Sequence, residues 1–155
     1  MFDETSASAA KEAAFKYLGY RMRTRREIEK YLAKKNFPDD VVAEVMETLV
    51  GYKYVDDLEF AKWYIESCLK FNKWGMKKIK HELALRGVGA DVFDEAAAGA
   101  EYPVADTITR LIEKRLGGEP TGDLDAKEKR KLFAYLMNRG FAYDEIQAAL
   151  TREDM

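Results

Sequence analysis

The sequence repeats itself three times, and a chain built that way buries its apolar residues in the same pattern at each repetition. An offset of 51 residues, followed by one of 53, superimposes Ile28, Ile79 and Leu132, then Leu32, Leu83 and Leu136. The same shifts align Phe37, Val88 and Phe141, then Val42, Phe93 and Ile146, and also Asp40, Asp91 and Asp144. The first two sets stand four residues apart, on one face of an α-helix. Charge follows the same period. Net charge runs +6 over residues 11–36, −6 over 37–61, +5 over 62–86 and −5 over 87–107, then +4 over 127–139 and −3 over 140–155. Each copy therefore joins a basic helix to an acidic segment.

Local chemistry marks the helix ends. Thr24-Arg25-Arg26-Glu27 reads as a capping box, so the first basic helix is expected to start near Arg25. Asn36, Gly87 and Gly140 share the slot where each basic helix stops, and these residue types accept a left-handed backbone with least strain. Pro38 suits a first helical turn. Asp56 is placed to cap a long helix carrying Phe60, Trp63, Tyr64 and Leu69, the first three of them as core. Breaks between copies are expected at Gly51 to Val55 and at Gly99 to Pro103. The reading is all-α: three tandem three-helix repeats forming an elongated, curved array. A flexible N-terminus over 1–7 precedes repeats at 8–52, 53–100 and 101–155, the last with a loop near 117–124. Copies this short do not hold a comfortable core alone, so neighbours should pack on one another.

Apolar residues make up 47% of the chain and aromatics 12%, enough to fill a core. No window reaches the 18 apolar residues of a membrane span, and Met1-Phe2-Asp3-Glu4-Thr5-Ser6 does not read as a secretory leader. One cysteine, Cys68, and one histidine, His81, make neither a disulfide nor a metal knuckle, and the expectation is a cytoplasmic monomer without cofactor or metal. Cys68 and His81 lack the third group and the oxyanion turn that nucleophilic catalysis needs. Asp39-Asp40 and Asp56-Asp57 look like paired carboxylates, but they stand where helices begin and capping explains them. The chain is therefore expected to act by binding and not as an enzyme.

Candidate contacts lie on the basic helices. Arg26, Lys77 and Arg130 are register-equivalent, as are Lys35, Arg86 and Arg139, and Lys30 falls within the first such helix. Stacked copies would turn them into a cationic strip suited to a polyanion; the plainer reading is a solvated helix face. Lys73, Trp74, Lys77 and Lys78 belong to a stretch that interleaves aromatics with cations, and Trp74 is its stacking candidate. The alternative role for Trp74 is to staple the helix junction into the bundle.

Tyr54-Val55-Asp56-Asp57, Phe60-Ala61, Tyr64-Ile65, Gly75, Lys77-Lys78-Ile79, Glu82-Leu83 and Gly87-Val88 follow a recognisable order, which resembles the second repeat of the RecX family. Ala14, Tyr17-Leu18 and the Thr24 to Leu32 segment resemble its first repeat, and the likeness covers roughly residues 9–150. It departs at Lys53, where the family commonly has glycine, and around Glu66, Cys68 and Leu69, where it has arginines. The resemblance implies binding to the filament of the RecA recombinase on DNA, with inhibition of strand exchange and of SOS repressor cleavage. Weak DNA contact through the basic helices would accompany that binding; a direct DNA-binding helical module and a general protein-interaction scaffold are the competing readings.

Overall fold

Each basic helix ends because its chain turns left-handed one residue past the cap. The computed structural model describes residues 4–118 and 121–153, all of its regular structure helical. Helices α1 (Glu4–Leu18), α2 (Arg25–Lys34) and α3 (Asp39–Gly51) form the first copy. The second holds α4 (Asp57–Ser67), a π-turn at Cys68–Asn72, α5 (Met76–Leu85) and α6 (Ala90–Ala98). The third holds α7 (Val104–Leu116), a 3-10 turn at Thr121–Asp123, α8 (Ala126–Asn138) and α9 (Tyr143–Glu153). Among the described residues no helix is long and apolar enough to cross a membrane.

Asn36, Gly87 and Gly140 have φ of 69°, 89° and 98°, as their shared slot predicts. All three helices close in a Schellman motif. The amide after the left-handed residue donates back to the helix, Phe37 to the Leu32 carbonyl, Val88 to Leu83 and Phe141 to Leu136. This explains why the apolar set just past each helix recurs: it packs back onto the last turn. Ile28, Ile79, Leu132, Leu32, Leu83 and Leu136 are all buried, and so are Val42, Phe93 and Ile146. Burying one such side chain contributes about 1.5–3 kcal/mol. In the first copy Ala10 and Ala14 on α1 meet Ile28 and Leu32 on α2 and Val45 and Leu49 on α3. In the third copy, Ile108 and Ile112 meet Leu132, Leu136 and Ile146.

Compactness groups the chain differently from the repeat. One unit comprises the chain up to Trp63 together with Leu83–Ala98; the other comprises Tyr64–Glu82 together with residues from Gly99 onward. The division falls within α4 and within α5, so the second copy contributes to both units, in keeping with a copy too small to hold a core alone.

Several expectations need correction. Helix α1 begins at Glu4, inside the stretch 1–7 read as the N-terminal segment; residues 1–3 lie outside the described residues. Helix α4 stops at Ser67, and Leu69 belongs to the π-turn. Trp63 is 41% exposed, its ring set edge-on to buried Phe60 at 5.5 Å, because helical spacing puts it beside the buried stripe rather than within it. Pro38 is the cap of α3 rather than part of its first turn. In the loop near 117–124, Gly117 and Gly118 turn left-handed, while Glu119 and Pro120 lie outside the described residues.

Lys53 shows why the resembling family has glycine there. It is the left-handed residue of a fourth Schellman motif, at the end of α3, with φ of 62° and its Tyr54 neighbour donating to the Leu49 carbonyl. A side chain in that region costs about 1–2 kcal/mol, of which glycine's greater unfolded freedom returns about half. Lys53→Gly is expected to stabilise the protein by about 0.5–1 kcal/mol, read as a higher urea midpoint with an unchanged slope.

Candidate functional site

The two ends of successive basic helices are locked together by the same device, once in each compact unit. In the first unit, fully buried Thr24 caps α2: its hydroxyl accepts from the Glu27 amide at 3.2 Å, and Glu27 accepts from the Thr24 amide at 3.0 Å. The Thr24 hydroxyl then donates its own proton to the Arg86 carbonyl at the end of α5, 2.6 Å away. In the second unit, the register-equivalent Gly75 donates its amide to the Arg139 carbonyl at the end of α8, at 2.7 Å, and the Lys77 amide reaches the Gly140 carbonyl at 3.1 Å.

A side chain would not fit at either crossing. A Cβ on Gly87 would lie 2.5 Å from the Arg26 Cβ, and one on Gly140 would lie 2.5 Å from the backbone nitrogen of Lys78. Glycine is therefore required twice over, for its left-handed backbone and for the close approach. The equivalent slot of the first copy holds Asn36, with φ of 69°.

The next orphan amide of each helix is satisfied by the following copy too. The Arg25 amide donates to the Asp57 carboxylate at 2.9 Å, and the equivalent Met76 amide donates to the Tyr102 hydroxyl at 3.4 Å. Asp56 caps its own helix, accepting from the Leu58 and Glu59 amides, while Asp57 serves another helix. Burial raises the Asp57 pKa against the Arg25 bond, and it raises that of Tyr102, whose neighbour Glu145 acts in the same direction. Helix α8 is capped by its own Asp125, which accepts from the Glu128 amide at 2.8 Å.

These junctions decide where the candidate cations stand. Arg26, at the start of α2, meets the Arg86-Gly87 turn; Lys77 and Lys78, at the start of α5, meet the Arg139-Gly140 turn. Arg26, Lys30, Lys77 and Arg130 are exposed and form no ion pair among the described residues; the pairs Arg21–Glu27, Arg25–Glu29 and Lys62–Glu59 use other cations. Arg26 and Lys30 border an open groove between α2 and α3 whose other wall holds Val42 and Met46.

The remaining candidates have internal work. Lys35 lies 5.2 Å over the Tyr31 ring, which stacks on Tyr17 at 3.9 Å, with Arg23 on its far side at 3.7 Å. Arg139 donates to the Asn72 and Lys73 carbonyls, holding the π-turn, and lies 5.7 Å from the Tyr135 ring, equivalent to Tyr31. Trp74 is half-buried, with Lys78 4.4 Å over its ring, so one face is already occupied. Lys73 is exposed at the left-handed end of the π-turn, φ 54°. Cys68 is buried in that turn, and the His81 side chain is exposed on α5.

Electrostatics make the first junction pH-sensitive. Burial works to raise the Glu27 pKa, but the Arg21 hydrogen bond at 2.7 Å, the Thr24 amide and the charges of Arg21 and Arg86 outweigh it and hold it below the usual range. A depressed carboxylate stabilises the fold above its unfolded pKa and loses that contribution as pH falls through the folded value. The stability difference between wild type and Glu27→Gln is therefore expected to be full at pH 7 and to shrink below about pH 4.5. Urea midpoints of both proteins across that range check it.

Together these features define a tandem helical-repeat protein whose copies interlock at the ends of their basic helices and leave a subset of cations outward. Comparison with known proteins gives the class its family. Models of the first, second and third three-helix domains of RecX match residues 10–49, 56–96 and 104–150, in order. The chain belongs to the RecX family.

Among its relatives, regulatory protein RecX of Mycolicibacterium vanbaalenii is 34% identical over 154 residues, covering 93% of this chain and 84% of the relative. That of Prosthecochloris aestuarii is 32% identical, covering 95% of each chain. That of Bacillus licheniformis is 34% identical over 91% of this chain, which spans only 54% of the relative's length. The crystal structure of RecX from Lactobacillus salivarius superimposes with a TM-score of 0.86 at 25% identity over 97% of both chains. The relatives are named for regulation.

Proposed function

We propose that this chain regulates the RecA recombinase by binding its filament on DNA, lowering strand exchange and the filament-stimulated cleavage of the SOS repressor in the cytoplasm. The reading rests on family membership together with one observation: Arg26, Lys30, Lys77 and Arg130 stand exposed and without acidic partners among the described residues. A polyanionic or acid-lined groove meets such cations without first breaking internal ion pairs. No catalytic step is needed. A bound array blocks subunit addition or access to the filament by occupancy, and acts as a monomer.

Adding the protein should lower the filament's DNA-dependent ATPase. A variant with Arg26, Lys77 and Arg130 all changed to Ala should need roughly ten times more protein for the same effect, since three exposed charges contribute about 0.5 kcal/mol each. An ATPase unaffected by stoichiometric wild type defeats the reading; equal potency of the triple variant removes these cations from it.

A further inference from the structure

We propose that Tyr20 and Phe71 are stacking platforms for the bases of a single-stranded nucleic acid, one platform in each compact unit. The two residues lie 51 positions apart, in the same slot of the repeat, on the connection between a copy's first helix and its basic helix. Both residues are largely exposed, Tyr20 at 76% and Phe71 at 73%. In the third copy the slot holds Leu124, which is 9% exposed and belongs to the core. A lone exposed ring means little. The same exposure at the same repeat position, against a slot that buries its side chain elsewhere, calls for a contact outside the chain.

An arginine hydrogen-bonds the chain a residue or two past each ring. Arg21 donates to the Met22 carbonyl at 2.7 Å while held by Glu27, and Arg139 donates to the carbonyls of Asn72 and of Lys73, the residue equivalent to Met22. Phe71 lies within the π-turn itself, a deformation that functional sites often use to re-aim side chains.

Charge selects the partner. The Lys70 ammonium lies 5.4 Å from the Phe71 ring, Lys73 is exposed two residues on, and α5 opens with exposed Lys77. Tyr20 is followed by Arg21, paired with Glu27, by Arg23, over the Tyr17 ring, and by exposed Arg26. An apolar protein pocket closing over either ring would have to strip water from these cations. A base supplies a π face for the ring and a phosphate for the cations at once, without sequence preference. The inference rests on the filament reading only in that the partner contains nucleic acid, and it names the part of that assembly the connections touch.

The test uses a fluorescent single-stranded oligothymidylate of about twenty nucleotides and an abasic strand of equal length. Wild type should bind the base-bearing strand roughly ten-fold more tightly than the abasic one. Phe71→Ala and Tyr20→Ala should each lower affinity for the base-bearing strand about five-fold or more and leave abasic binding unchanged, while Phe71→Trp restores it. Thermal melts of the exposed-site variants should match wild type. Equal binding of the two strands by wild type overturns the proposal, as does unchanged affinity in Phe71→Ala. A protein that lowers filament ATPase yet binds no single strand overturns the platforms and spares the filament reading. Should Phe71→Ala weaken filament binding alone, the ring meets protein and the proposal falls.

Discussion

A Gly75→Ala variant is expected to lose about 3 kcal/mol or more of stability, the largest effect of any single methyl group added to this chain. The new Cβ would lie 2.3 Å from both the carbon and the oxygen of the Gly140 carbonyl and 2.5 Å from the Phe141 nitrogen. All three are backbone atoms, and none can rotate away. Relief requires α5 to withdraw from the end of α8, which breaks the Gly75 to Arg139 and Lys77 to Gly140 hydrogen bonds. Gly140→Ala should be comparable, since its φ of 98° adds conformational strain to a 2.5 Å approach to Lys78. Gly51→Ala is the control, because nothing lies within 4 Å of its Cβ, and it should change stability by no more than about 1 kcal/mol in the stabilising direction. Urea denaturation of the three variants checks the ranking. A Gly75→Ala protein as stable as wild type would mean that the crossing is not as close as described.

Thr24→Val should cost about 2–4 kcal/mol although it preserves shape and volume. The hydroxyl of this fully buried residue accepts from the Glu27 amide and donates to the Arg86 carbonyl. Losing a helix cap costs about 1 kcal/mol. Leaving the Arg86 carbonyl facing a methyl group adds about 1–3 kcal/mol of unrecovered desolvation. Thr24→Ser keeps both bonds and should stay within about 1 kcal/mol of wild type, apart from the small loss of a buried methyl. If valine and serine behave alike, the hydroxyl is not what joins α2 to the turn after α5.

Much of the fold is legible because it is local. The capping box at Thr24, the left-handed slots at Asn36, Gly87 and Gly140 and the cap at Asp56 depend on residues within a turn of one another, and each is found as expected. Asp57 was legible only as another capping acid, because the helix it serves begins at Arg25, 32 residues earlier. Trp63 was misjudged as core: periodicity marks a face of a helix but not how wide a stripe the neighbours cover.

The aromatic choice in the cationic stretch shows the same limit. Trp74 is the larger ring, yet it is half-buried, whereas Phe71 stands exposed on the π-turn; each has a lysine over one face, Lys78 at 4.4 Å and Lys70 at 5.4 Å. A signal was nevertheless present in the sequence, since Tyr20 and Phe71 coincide at the first repeat offset.

By itself the sequence determined that there are three copies, that each is helical, and where each basic helix starts and stops, because period, caps and backbone preference act over a few residues. Only the tertiary structure decided what those helix ends do next. Thr24, Gly75, Gly87 and Gly140 look like ordinary punctuation until α2 meets the turn after α5 and α5 meets the turn after α8. Which cations are left outward follows from those crossings, since a side chain's neighbours are set by helices far away in the chain and no local preference encodes them.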